Sequence, residues 1–260
     1  MYPYIYIFGR EIGTYGVCML LGIILSIILG IRRGKPRGLQ FEDMMIVSAF
    51  SLGFALISGC LLFAFVTYTP QQIWQYICSG NFNFLSSGII FYGGLVGGIL
   101  GALIGIRVAG CTVYAVESAV VPFIPLGHAV GRIGCVMAGC CHGFEYEGLA
   151  ALYYPHSVSG LSPEQGYFPV QLVEALINVI ICLLLLFYDR KKHRTYDLLL
   201  VYLGLYAIAR FFLEMLRGDM IRGIWNMLST SQIISLILLG VSIVGLLLNR
   251  KNVKKKAPLI

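Results

Sequence analysis

Charge is what this sequence lacks. Only 12% of its 260 residues are Asp, Glu, Lys or Arg, about half the ~25% of an ordinary soluble domain. So few charges cannot make a water-facing surface, which excludes the soluble globular classes. Internal repeats, low-complexity runs and flexible linkers are absent too, which removes fibrous and disordered classes. The long apolar runs show no alternation of apolar and polar residues, which argues against a membrane barrel. What is present is apolar: 58% hydrophobic residues and 31 glycines. The net charge of +7 then concerns orientation and lipid headgroups, and no nucleic-acid partner is expected.

A spanning helix needs about 20 mainly apolar residues. Seven stretches qualify: 12–31, 44–66, 88–106, 112–131, 170–188, 198–217 and 231–248. The fourth is interrupted by Glu117, Pro122 and Pro125, the fifth contains Glu174, and the sixth carries three charges. The expected fold is all-α, a single polytopic transmembrane domain over residues 1–260. Its only sizeable outside segments are 67–87 and 142–167. Basic clusters at Arg32, Arg33, Lys35 and Arg37, at Arg107, at Arg190 to Arg194 and at Arg250 to Lys256 follow spans one, three, five and seven. The positive-inside rule then puts the N-terminus outside and the C-terminus in the cytoplasm. No basic region precedes the first apolar run, so it is not expected to be a cleaved signal. The remaining basic residues are Arg10, Arg132, Arg210, Arg217 and Arg222, all in the outer half of the membrane or outside. Ionisable groups in spans are expensive, roughly 2.5–3.5 kcal/mol each on insertion scales, and face a polar interior.

Tyr202, Tyr206, Arg210, Glu214 and Arg217 are spaced by fours and a three, which puts them on one helical face. They read either as a structural ion pair of Glu214 with Arg210 or Arg217, or as a site for an anionic headgroup. Two arginines against one acid leave a surplus positive charge, which favours the headgroup. A second constellation runs from Gly131 to Gly143 and holds Arg132, Gly134, Gly139 and the cluster Cys135, Cys140, Cys141 and His142. An arginine among glycines can bring backbone N–H groups and a planar guanidinium fork to one phosphate; the glycines alternatively serve tight helix packing. Adjacent cysteines are an awkward bite for tetrahedral zinc, which favours C-x2–4-C spacing, so no metal is expected. A redox or sulfur-handling role on an oxidising side and simple small-residue packing both stay open. Cys18, Cys60 and Cys182 read as core; Cys78 lies outside, where it could pair with the cluster.

Gly93, Gly97, Gly101 and Gly105 repeat every four residues beside Gly94 and Gly98, a face for close helix approach that also leaves room for a lipid chain. Tyr92 opens this face at headgroup level, where tyrosine is an interfacial anchor. Tyr15 starts span one, Gln171 and Glu174 share a face at the outer end of span five, and Gln232 starts span seven. Polar groups from five or six helices thus converge at one level of the membrane.

These motifs resemble, in order from about residue 13 to 248, the prolipoprotein diacylglyceryl transferase family. Gly131-Arg132-Ile133-Gly134 is similar to its signature, and Tyr92-Gly93-Gly94-Leu95 to its His-Gly-Gly-Leu. Pro169-x-Gln171-x-x-Glu174 is similar to its His-Pro-x-Gln-x-x-Glu, and Tyr206 to Arg217 to its late Tyr/Arg/Glu/Arg helix. Ser231-Gln232-Ile233 and Tyr15-Gly16 are similar to its last and first spans. The resemblance implies transfer of the diacylglyceryl group of phosphatidylglycerol to a lipobox cysteine thiol, with glycerol phosphate released. It implies phosphatidylglycerol, the prolipoprotein signal peptide and membrane lipids as partners, the bacterial plasma (inner) membrane as location, a monomer, and no cofactor. By motif match Arg132 and Arg210 hold the phosphate, Glu214 orients Arg210, and Tyr15, Gly93, Gly94, Gly134, Gly139, Gly143, Gln171, Glu174, Tyr206 and Arg217 line the substrates. The sequence departs from the family on the acceptor side. Tyr92 stands for the histidine base, and reaching its phenolate at pH 7 costs about 4 kcal/mol at about 1.36 kcal/mol per pKa unit. Cys135 and Ala138 stand for asparagines, Cys140 for a glutamate, Phe168 for a histidine and Cys60 for an arginine. His142 is the alternative base. A sibling enzyme with another acceptor, using Cys140 or Cys141 as nucleophile or relay, and a non-enzymatic lipid-binding or sulfur-compound transport protein are the competing readings.

Overall fold

The computed structural model describes residues 2–7, 9–81, 88, 90–218, 224–225 and 228–254. The chain is mostly helical and divides into two compact units, Met1–Gly30 with Glu117–Ile260, and Ile31–Val116. Six helices are long and apolar enough to cross a membrane among the described residues. Where the third span is expected, the described side chains give a shorter apolar helix, Gly93–Ala109.

The first unit opens with an antiparallel hairpin, β1 (Tyr4–Ile7) and β2 (Arg10–Gly13), tied by the Tyr6 hydroxyl to Glu11. Sequence reading expected no strand here. Two four-residue strands carry no buried alternating face, so nothing in the pattern announces them. Helix α1 (Thr14–Gly34) follows, its first residue hydrogen-bonded through Thr14 Oγ1 to the Pro3 carbonyl at 2.9 Å. Further on lie α6 (Ile124–Ala138), α7 (Val170–Tyr188), α8 (Asp197–Met215) and α9 (Thr230–Lys254). A second small hairpin, β3 (Ile224–Trp225) and β4 (Leu228–Ser229), precedes α9.

The fourth span was expected to end near residue 131. Instead a 3-10 turn at Val121–Phe123 leads into α6, which runs on to Ala138. Glycines 131 and 134 do not break it, because each fills a contact with α1. A Cβ on Gly134 would lie 2.8 Å from Cys18 Cβ and 3.2 Å from Tyr15 Cα. Gly22 and Gly127 make the same close approach one to two turns deeper, a Cβ on Gly22 falling 2.5 Å from the Gly127 carbonyl. The helix stops at Gly139, whose φ of 68° forms a left-handed C-cap.

On α7 the buried residues are Val170, Gln171, Glu174, Asn178, Ile181, Cys182 and Leu185, one face at helical spacing. That face is polar in its first half and apolar in its second. The apolar half packs with Val121, Leu198 and Tyr202 into the core cluster of this unit. At the same end Glu117 accepts hydrogen bonds from Tyr196 N at 2.6 Å and Leu199 N at 2.9 Å, capping the otherwise unsatisfied first turn of α8.

The second unit holds α2 (Phe41–Thr67), α3 (Pro70–Cys78) and α4 (Phe91–Ala109); α5 (Val113–Val120) begins in it. The four-residue glycine repeat of α4 lies against α2. A Cβ on Gly93 would sit 2.6 Å from the Ser58 carbonyl, and one on Gly105 2.9 Å from Val47 Cα. Ser58 Oγ donates to the Gly93 carbonyl at 2.7 Å and Ser51 Oγ to that of Gly98 at 3.0 Å. This face is therefore a helix-packing face, not a lipid-chain groove.

Candidate active site

Three helices of the first unit bring their polar halves together. Arg132 on α6 places Nη2 2.9 Å from Oε1 of Glu174 on α7. Tyr206 on α8 donates its hydroxyl to the same Oε1 at 3.5 Å, and His128 Nε2 stands 3.6 Å from it. The His128 and Tyr206 rings are 5.3 Å apart, and Asn178 Nδ2 donates to the Glu174 backbone carbonyl at 2.9 Å. Glu174 is thus the hub: 2% exposed, it gathers a guanidinium, a phenol and an imidazole.

One turn beyond Tyr206, Arg210 Nη2 meets Glu214 Oε2 at 2.6 Å and Ser231 Oγ, at the start of α9, at 3.4 Å. Both arginines are therefore held by a carboxylate. Yet Arg132 Nε and Arg210 Nη1 are buried with no hydrogen-bond partner among the described residues. Burying an N–H unpaired costs about 1–3 kcal/mol, more on a charged group. Each guanidinium is fixed on one side and has an unmet donor on another.

The turn after α6 carries the cysteines. Cys135, Cys140 and Cys141 have sulfurs all within 4.8 Å of one another. Cys141 adopts φ of 57°, a left-handed conformation uncommon for a residue other than glycine. Arg132 Nη1 donates to Cys135 Sγ at 3.8 Å. The turn is fastened from several directions: Gln171 Nε2 donates to the Cys140 carbonyl at 2.9 Å and to Tyr154 Oη at 3.0 Å, Ser157 Oγ to the Gly139 carbonyl at 2.6 Å, and Gly218 N to the His142 carbonyl at 3.2 Å. Gly143 pairs antiparallel with Arg217, and a Cβ on it would lie 2.5 Å from the Phe168 carbonyl. His142 Nδ1 donates to the Gly143 carbonyl at 2.8 Å, which leaves Nε2 as the acceptor of the neutral ring. The Cys140 thiol donates to the Cys135 carbonyl at 3.8 Å, and the neighbouring Cys135 and Cys140 thiols, with Arg217 and Arg132 nearby, hold the Cys141 thiol below its ordinary range.

Several residues expected to line the substrates have other contacts. Gln171 anchors the cysteine turn. Gly134 packs on α1, which removes the reading of free backbone N–H groups beside Arg132, since those groups sit inside a helix. Gly139 and Gly143 shape the turn. Tyr15, 44% exposed, stands at the start of α1 against Gly134. Gly93 and Gly94 belong to the second unit. The side chain of Tyr92 lies outside the described residues. Sequence reasoning missed His128 and Asn178; the signal was there, since His128 lies four residues before Arg132, and Asn178 four after Glu174, on the same faces.

The chain matches the family described as prolipoprotein diacylglyceryl transferase over residues 3–248. It is 32% identical to phosphatidylglycerol–prolipoprotein diacylglyceryl transferase 2 of Clostridium perfringens, over 95% of this chain and 93% of that protein. It is 30% identical to the phosphatidylglycerol–prolipoprotein diacylglyceryl transferase of Clostridioides difficile, over 95% and 94%, and 29% identical to that of Clostridium tetani, over 90% and 93%.

Proposed function

The chain belongs to the prolipoprotein diacylglyceryl transferase family, and on that premise we propose how its residues divide the work. The protein is a transferase: it moves the diacylglyceryl group of phosphatidylglycerol to the lipobox cysteine thiol of a prolipoprotein, releasing glycerol phosphate. The thiol sulfur forms a C–S bond to the glyceryl carbon as the C–O bond to phosphate breaks. The phosphodiester, with one negative charge, becomes a monoester with a second developing charge, and the thiol proton is released.

Arg132 and Arg210 hold that phosphate and stabilise the developing charge. The observation that carries this reading is the pair of buried N–H groups, Arg132 Nε and Arg210 Nη1, that have no partner among the described residues. Phosphate oxygens are the natural acceptors for such N–H groups, and a guanidinium fork already clamped by a carboxylate is oriented in advance. Glu174 and Glu214 act as those clamps, and Tyr206 steadies Glu174. Arg132, Arg210 and Arg217 against Glu174 and Glu214 leave one surplus positive charge, the complement of a phosphodiester. Tyr15 and Tyr206 line the lipid.

The finer topology belongs to the same proposal. Seven spans, with α4 as the third, an outside N-terminus and a cytoplasmic C-terminus, put all four basic clusters on one side. The protein works as a monomer in the bacterial plasma membrane, on phosphatidylglycerol and the prolipoprotein signal peptide.

The test is transfer from labelled phosphatidylglycerol in vesicles to a lipobox peptide. Arg132→Lys and Arg210→Lys keep the charge and lose the fork; each is expected to lower product formation by about 10²–10³, as loss of a charge-stabilising donor does. Folded lysine variants that transfer at the parent rate would remove both arginines from the mechanism.

A further inference from the structure

We infer that Cys135, Cys140 and Cys141 form a zinc site whose fourth position takes the sulfur of the incoming lipobox cysteine; the inference rests on the transferase reading above. Zinc binds thiolate sulfur at about 2.3 Å in tetrahedral geometry, which sets neighbouring sulfurs about 3.8 Å apart. The three sulfurs here already lie within 4.8 Å of one another, at most about 1 Å beyond that spacing.

The objection from sequence was the adjacency of Cys140 and Cys141. The left-handed φ of Cys141, 57°, answers it by turning the chain back so that consecutive side chains converge. That conformation is unfavourable for a cysteine, and the surrounding hydrogen bonds from Gln171, Ser157 and Gly218 hold it in place. No His, Asp or Glu ligand atom joins the three sulfurs among the described residues. Three protein ligands with an open fourth position is the arrangement of a catalytic zinc site, whereas structural sites close with four.

The neighbourhood fits thiolates. Arg132 Nη1 points at Cys135 Sγ from 3.8 Å, the kind of outer contact that orients a metal ligand and offsets its charge. The same guanidinium is proposed to hold the phosphate that leaves, so the sulfur on the metal and the carbon it attacks are brought around one residue. A free tyrosine, with its pKa near 10, is a poor base at neutral pH; a zinc-bound thiol is deprotonated outright. The step balances without a redox partner. The acceptor thiol binds zinc and gives its proton to water. The zinc-bound sulfur forms the C–S bond to the glyceryl carbon, the C–O bond breaks, and glycerol phosphate leaves with the electron pair. The neutral thioether, a weaker ligand than a thiolate, then leaves the metal.

The test uses the full-length protein in detergent, loaded with zinc and washed. Metal analysis should find one zinc per chain, and none in the Cys135→Ser/Cys140→Ser/Cys141→Ser variant. X-ray absorption at the zinc edge should show three sulfurs and one lighter atom, becoming four sulfurs with a lipobox peptide and not with its Cys→Ser counterpart. Removing the metal from the unaltered protein should slow thioether formation by about a hundredfold or more, the usual worth of general-base catalysis, and zinc should restore it. A chain that retains no zinc, a sulfur count unmoved by the peptide, or a mass two hydrogens lighter from a disulfide within the cluster would each overturn the inference. Metal-free protein that transfers at the full rate would also overturn it and leave the transferase reading standing. Absence of thioether from every form would instead strike that reading, while zinc content and sulfur count still judge the site.

Discussion

Glu174 concentrates the physics of the site in one side chain. Its carboxylate neutralises Arg132 across a helix boundary, at 2.9 Å and with almost no exposure to solvent. Removing one partner of a buried pair leaves the other charge uncompensated, a loss of about 3–5 kcal/mol, whereas replacing both with apolar residues is close to neutral. Glu174→Leu is therefore expected to lower unfolding stability by about that amount. The double variant Arg132→Leu/Glu174→Leu should recover most of it and still form no thioether product. Stability measured by denaturant titration and activity by transfer would then part company, as they do when a pair is retained for function. A second residue-scale expectation concerns the thiols of metal-free protein. The neighbouring Cys135 and Cys140 thiols and the nearby arginines lower the Cys141 thiol, while the neighbouring Cys135 and Cys141 thiols and burial raise that of Cys140. A lowered thiol keeps its reactive thiolate to lower pH. Alkylation followed by mass spectrometry, as pH rises, should mark Cys141 before Cys140.

Helix α6 shows what one element's sequence reveals and hides. Its apolar run and its prolines are plain, but its end is not. Gly131, Arg132 and Gly134 look like a loop closing a span, and only the contacts with Cys18 and Tyr15 on α1 explain why they continue a helix. For α7 the expected limits, 170–188, are those of the structure, because Pro169 marks the start and the apolar run stops at the charged Asp189 and Arg190. The pairing of Arg210 with Glu214 is legible at four-residue spacing. Arg132 with Glu174 is not, since nothing in a single sequence says which faces of two helices meet. The crossing of α1 and α6 makes its own prediction. Gly22 has no room for a Cβ against the Gly127 backbone, and backbone cannot yield as a side chain does. Gly22→Leu should separate the helices and destabilise the protein by about 1–3 kcal/mol or more. Gly240→Ala, on α9 with nothing within 4 Å of the added carbon, should change little by the same measurement.

Across the whole molecule, Arg132, Glu174, Arg210 and the cysteine turn lie in one compact unit, and Tyr92 with the glycine repeat of α4 in the other. Hydropathy made the membrane class and most spans legible; the hairpins, four residues and two residues per strand, were too short to leave a pattern. The proposed orientation has a direct test. Cys78 is exposed on a segment assigned to the outside. A membrane-impermeant maleimide should label it in intact cells, and should reach a cysteine replacing Lys191 only after lysis; the reverse pattern would invert the topology. One last feature reaches across the unit that holds the site. Residues 142–144 are bonded on both sides: Gly143 N and Phe168 N bond across to Phe168 O and Phe144 O on one side, and Phe144 N and Gly218 N bond to Leu216 O and His142 O on the other. The segments entering α7 and leaving α8 are thus laced to a single shared thread. Amide deuterium exchange along these three stretches should quicken or slow together, so the arginine end and the sulfur end of the unit breathe as one.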